Sequence, residues 1–396
     1  MPTVANHSKQ LPASPIRKLT PFADQAKAAG KHVYHLNIGQ PDIPTPPSFF
    51  AAIRDASLDV LAYSPSAGTI ELREKIVDYY GRFGAEISTD NIVVTTGASE
   101  ALLFVFNAIL DPGDEVIVLE PFYANYFSFC LQNLGNVVPI TTSIEDDFAL
   151  PSVEAFEAKI TDRTRAIVIC NPANPTGVTY DAATLEQLQS ICKKHDLYLV
   201  ADEVYREFIY GSSTPPSALT LEGMEENVIV IDSISKRFSA CGARIGCLVT
   251  RNEVVFDTVM KMAQARLSPP TFGQIGATAA YDLPDSFYRE VVAEYSGRRE
   301  LLKTSLDKIP GVLCPNIDGA FYAMVRLPVK DSEDFCRWLL ESFELDGSTV
   351  MLAPGAGFYA SEGRGNDEVR IAYVLNQKDL SMAIDCLEAG LKEYNA

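Results

Sequence analysis

Short apolar runs recur along this chain: Ile92–Thr95, Glu115–Leu119, Ala166–Cys170, Leu197–Val200, Val228–Ile231 and Ile245–Thr250. They are apolar at nearly every position rather than at every second one, so they read as strands buried on both faces. The segments between them carry turn residues or helical spacing, as in Ala183–His195. Strands of this kind alternating with helices predict an α/β fold: a mostly parallel sheet covered by helices, with ligands gathered at the carboxyl ends of the strands. From about Asp285 the pattern changes to a long amphipathic helix over 286–309, short strands at 311–313 and 320–325, a helix around 333–341, an extended segment at 349–355 and a final helix from Lys378. This predicts two domains, a large one over 45–284 and a smaller α+β one made from 1–44 and 285–396, whose N-terminal arm leads into a helix. A chain of 396 residues with 47% hydrophobic content can fill both.

Polar and small residues cluster just beyond the strand ends. Thr96-Gly97-Ala98-Ser99-Glu100 opens a helix, and a small-residue turn feeding a helix N-terminus aims backbone N–H groups at one point, which suits a phosphate. Ser233-Ile234-Ser235-Lys236 continues to Cys241-Gly242-Ala243-Arg244 and offers hydroxyls, a lysine and an arginine in one turn. A lysine beside a phosphate site is the arrangement a pyridoxal phosphate enzyme needs, because its ε-amine must form a Schiff base with a cofactor anchored close by.

Four patterns then stand in order: Asn171–Gly177 (NPANPTG), Ala201–Tyr205 (ADEVY), Ser233–Gly246, and Val369–Tyr373 (VRIAY). Together they resemble the class I and II aminotransferases of fold type I, and the resemblance runs from Ile38-Gly39-Gln40-Pro41-Asp42 to the Arg370 segment. It implies a mostly parallel, seven-stranded sheet, pyridoxal 5'-phosphate as cofactor, and amino-group transfer from an L-amino acid to a 2-oxo acid by a ping-pong route through a Schiff base on Lys236. Lys236 would be anchor and then acid/base, Asp202 would face the pyridine nitrogen, and Tyr205 and Asn174 would bond the ring's phenolic oxygen. Ala98, Ser99, Ser233, Ser235 and Arg244 would hold the phosphate, and Arg370, with Gly39 and Asn174 beside it, the substrate α-carboxylate. Tyr123 aligns with the ring-stacking residue, with Tyr126 as competitor. Tyr63 matches a tyrosine that crosses a dimer interface to the neighbouring subunit's phosphate, so a homodimer with shared active sites is expected.

The substrate side chain is left open. Some dicarboxylate-specific relatives carry a basic residue in the turn that here reads Gly97-Ala98-Ser99, where there is no lysine. Arg266 lies in a segment that relatives present to the other subunit's pocket, while Phe358 and Tyr359 would favour an apolar or aromatic substrate. On the same scaffold a carbon–sulfur lyase or a decarboxylase is the rival reading, and a non-catalytic ligand-sensing domain a remote one.

Composition narrows the partners. With 33 basic and 52 acidic residues the net charge is −19, unfavourable for nucleic acid or anionic membranes. His7, His32, His35 and His195 are too scattered for a metal site, and the eight cysteines form no CxxC pair and read mostly as buried thiols. No apolar run approaches the roughly 20 residues of a membrane span and the N-terminus lacks a signal-peptide core, so a cytoplasmic enzyme is expected.

Overall fold

The sheet follows from those apolar runs. In the computed structural model, which describes residues 2–211 and 215–396, β1 (His32–His35) comes first and lies apart from the main sheet. The main sheet contains β2 (Ile92–Thr95), β3 (Glu115–Glu120), β4 (Asn136–Thr141), β5 (Thr164–Cys170), β6 (Tyr198–Asp202), β7 (Val228–Ser233) and β8 (Gly246–Thr250), in the order β2-β8-β7-β6-β5-β3-β4. Only β8 runs against its neighbours β2 and β7; the pairings among β7, β6, β5, β3 and β4 are parallel. Successive side chains of a strand point to opposite faces, and both faces are covered here. Val116 and Val118 enter one core while Ile117 and Leu119 enter the other, and Ile229 and Ile231 are likewise separated from Val228 and Val230.

The remaining strands form smaller sheets. β9 (Tyr322–Arg326), β10 (Ser348–Met351), β11 (Ala353–Pro354) and β12 (Glu368–Ala372) contribute an antiparallel trio, β11-β12-β9, and a parallel β1-β10 pair. The long helix spans Asp285–Leu306 and the last one Gln377–Tyr394. The expected strand near Gly311–Leu313 is only a bridge from Leu313 to Arg326. Among the described residues no helix is long and apolar enough to cross a membrane.

One buried ion pair fixes the turn after β7. Asp232 and Arg237 are both buried, their side chains 2.7 Å apart, and the Arg237 guanidinium also stacks 3.9 Å over the Tyr79 ring. Removing one member of such a pair costs about 3–5 kcal/mol because the other charge is stranded. Arg237 therefore points into the core, and Lys236, one residue earlier on the short helix Ile234–Arg237, points the other way into a cavity.

Candidate active site

A cavity of about 420 Å³ opens at the carboxyl ends of β5, β6 and β7 and is roofed by residues of the N-terminal arm and of β9 and β12. Lys236, Asp202, Tyr205, Ala98, Ser99, Tyr123, Asn174, Ser233, Ser235, Arg244, Gly39 and Arg370 all border it.

The helix Ala98–Ile109 starts without a side-chain cap, because its N-cap is Gly97 at φ 74° rather than a serine. Its first N–H groups are thus left for a ligand. A Cβ on Gly97 would lie 2.3 Å from the Arg244 guanidinium, and one on Gly246 only 2.6 Å from the Ala98 nitrogen. Both glycines keep this corner open for helix start and arginine to converge. Ser233 caps the Lys236 turn: its oxygen accepts the Ser235 N–H at 3.0 Å, and its hydroxyl can donate to the Ile245 carbonyl at 2.9 Å or to Ser235 Oγ at 2.7 Å. Ser235 is the less committed hydroxyl of the two. Helix start, Ser235 and Arg244 make a cradle that fits a phosphate ester.

Lys236 Nζ donates to the Gly39 carbonyl at 2.9 Å and lies 3.8 Å from Cys241 Sγ. Burial lowers its proton affinity; the nearby Cys241 thiol pulls the other way, and the charge of Arg370 adds to the lowering. At the end of β6, Asp202 accepts the Tyr126 hydroxyl at 2.7 Å and the Val204 N–H at 3.3 Å. Burial pushes its carboxyl up to about 6, although the Tyr126 bond opposes the shift. Tyr126 is buried beneath the cavity floor, whereas Tyr123 stands on the cavity wall with its hydroxyl accepting from Asn125 at 2.7 Å. Of the two competitors, Tyr123 is the one placed to face a planar ring.

Arg370 on β12 is 1% exposed, and no carboxylate lies within ion-pair distance among the described residues. Its guanidinium donates to Asn174 Oδ1 at 3.1 Å and to the Asn37 carbonyl at 2.6 Å, and its central carbon lies over the rings of Tyr322 and Phe358 at 4.6 and 4.9 Å. Its Nε is buried without a partner, and burial lowers its pKa. A buried cation held by neutral groups is stable only if something anionic completes it.

Three expectations are corrected. Phe358 does not line the cavity; it is fully buried and supports the Arg370 guanidinium from below. Tyr359 is likewise diverted, its hydroxyl bonded to Glu368 at 2.6 Å. Arg266 turns inward, pairing with Glu100 at 3.1 Å and donating to the carbonyls of Ser66 and Val94, so its charge braces the helix start instead of reaching a substrate. Tyr63 is 77% exposed and does not border the cavity.

Sequence reasoning missed Tyr322. Its hydroxyl pairs with Tyr205 at 2.9 Å, and burial raises it to about 12. A Cβ on Gly39 would lie 1.7 Å from that hydroxyl, so the glycine is required for the close approach of Tyr322. Ser14, Ile16 and Arg17 of the arm were missed as well. Nothing in a polar N-terminal stretch marks it as part of a site; only the fold brings it back.

The comparisons agree with this geometry. Residues 31–387 match the family model described as aminotransferase class I and II. An aspartate aminotransferase of Bacillus subtilis is 31% identical over 402 residues, covering 99% of this chain and 100% of the relative. A solved alanine aminotransferase from Pyrococcus furiosus superposes with a TM-score of 0.90 at 30% identity, over 99% of this chain and 100% of that one. A solved aromatic aminotransferase from Pyrococcus horikoshii gives 0.85 at 30% identity, over 94% and 99%. The chain belongs to the class I and II aminotransferases, and is a pyridoxal phosphate-dependent enzyme that exchanges an amino group between an amino acid and a 2-oxo acid.

Proposed function

We propose that the chemistry runs through Lys236, with Arg370 gripping the α-carboxylate that every amino acid and its 2-oxo acid share. The observation that carries this reading is the pairing, in one cavity, of a fully buried arginine without an acid partner among the described residues and a buried amine of lowered proton affinity. Bound pyridoxal phosphate supplies the electron sink that lets the substrate α-proton leave. Lys236 Nζ is the base that removes this proton and the acid that returns one. Asp202, ionised above about pH 6, holds a proton at the ring nitrogen. Tyr205, aided by Asn174 at 3.4 Å, donates to the phenolic oxygen, and Tyr123 covers one ring face. Ala98, Ser99, Ser235 and Arg244 bind the phosphate, with Ser233 holding the turn.

The working unit in this reading is a homodimer. Phe50, Val60, Leu61, Tyr63, Leu267 and Phe272 are between 45% and 77% exposed, and the helices Pro47–Asp55 and Thr271–Tyr281 that carry two of them pack together. So many exposed large apolar side chains on neighbouring segments are typical of a subunit interface. Mixing the cofactor-loaded enzyme with single amino acids, without an acceptor, tests the reaction: the absorbance should change to that of the aminated cofactor. Release of ammonia and pyruvate from cysteine, in place of that change, would favour a lyase.

A further inference from the structure

Three arginines border the cavity without a carboxylate partner among the described residues: Arg370 in the interior, Arg244 at the phosphate cradle and Arg17 at the exposed rim. The arm around Arg17 is pinned. The Ser14 carbonyl accepts the N–H groups of Arg17 at 3.1 Å and Lys18 at 3.0 Å, winding a tight turn. Pro15 is buried against Gly357, where a Cβ would come within 2.2 Å of it. The Ile16 carbonyl accepts Asn37 Nδ2 at 2.8 Å, and Asn37 in turn gives its own carbonyl to Arg370 at 2.6 Å. Lys18, on the far side, is ion-paired with Glu333. Arg17 is thus held by its backbone on both sides and joined through one residue to Arg370, and its side chain, on the cavity border, makes no hydrogen bond or ion pair among the described residues.

The other cations near the cavity have other work. Lys236 is the reacting amine, Arg244 sits at the phosphate cradle, and Arg266 is bound to Glu100. Ile16, Ile38 and Leu102 provide apolar wall, suited to the methylene groups of a short chain. We propose that Arg17 receives the distal carboxylate of a four- or five-carbon dicarboxylic amino acid, so that one subunit supplies both the α-carboxylate and the side-chain receptor. The inference rests on Arg370 as the α-carboxylate site. It places selectivity for acidic substrates in the N-terminal arm, not in the turn after β2 or at Arg266.

The test compares the cofactor-loaded wild type with Arg17→Gln and Arg370→Lys, using aspartate, glutamate and alanine as donors. A partly desolvated charge-assisted bond is worth about 1.5–3 kcal/mol, so Arg17→Gln should lower the aspartate-to-alanine ratio of kcat/KM by about 10–100-fold. Most of the loss should fall on KM, and Arg17→Lys should recover part of it. An unchanged ratio, or a wild type that prefers alanine, overturns the assignment of Arg17. Equal losses for aspartate and alanine also overturn it, since they mark a residue that only positions the arm. Arg370→Lys should depress all three donors together; if it spares alanine, the α-carboxylate reading itself fails.

Discussion

Asp202→Asn should make the cofactor-free protein more stable while destroying its activity. The carboxyl is buried and titrates near 6, against an ordinary value of 3.8. Between those values the native state still holds a proton that the unfolded chain has lost, so stability falls as pH rises through this window and stays lower above it. By that linkage the ionised carboxylate costs the native state about 3 kcal/mol at neutral pH. Asparagine carries no charge, but only its oxygen can accept, and the Tyr126 hydroxyl at 2.7 Å is the shorter bond. Its NH2 would then meet the Val204 N–H, now 3.3 Å from Oδ1, and lose about 1 kcal/mol there. The net gain is about 2 kcal/mol above pH 7. Urea midpoints of cofactor-free wild type and variant, at equal protein concentration, should differ in favour of the variant, and the advantage should grow by about 1 kcal/mol between pH 5 and pH 8. Turnover of the loaded variant should fall at least about a hundredfold, because asparagine cannot hold a ring proton by charge. A variant no more stable than wild type at pH 8, or an advantage that shrinks as pH rises, would refute the reasoning.

Other perturbations follow from single contacts. Tyr126→Phe removes the donor that favours ionised Asp202, so the acidic limb of the kcat/KM profile should move to higher pH; movement to lower pH would contradict the assignment. Arg370→Lys replaces a planar fork by a point charge and should lower kcat/KM by roughly 100-fold for every donor. Gly246→Ala puts a Cβ 2.6 Å from the Ala98 nitrogen, and backbone cannot give way as a side chain would, so affinity for pyridoxal phosphate should drop about tenfold or more in a fluorescence titration.

The sheet was legible because its strands are buried on both faces and so are continuously apolar; the runs at 166–170 and 228–231 sit inside β5 and β7. β4 was not, since Asn136–Thr141 lies at the sheet edge, half-buried, and carries Pro139. The reversed direction of β8 leaves no mark in its composition. At the site, residues next to strand ends were readable from position: Asp202, Lys236 and the turn at 96–100 all gather as the α/β pattern requires. Residues that reach the cavity across the fold were less so. Tyr322 looked like a core aromatic in an apolar run, and Arg17 like a charge on a polar arm. Arg266 and Phe358 failed for the complementary reason: charge and aromaticity say what a side chain can do, while Glu100 and Arg370 decided what these two do.

The most direct measurement is the covalent address of the cofactor. Borohydride reduction of the loaded enzyme, followed by proteolysis and peptide mass mapping, should find the reduced pyridoxyl phosphate adduct on Lys236 alone, and Lys236→Ala should carry none. An adduct on another lysine, or its persistence in Lys236→Ala, would contradict the account.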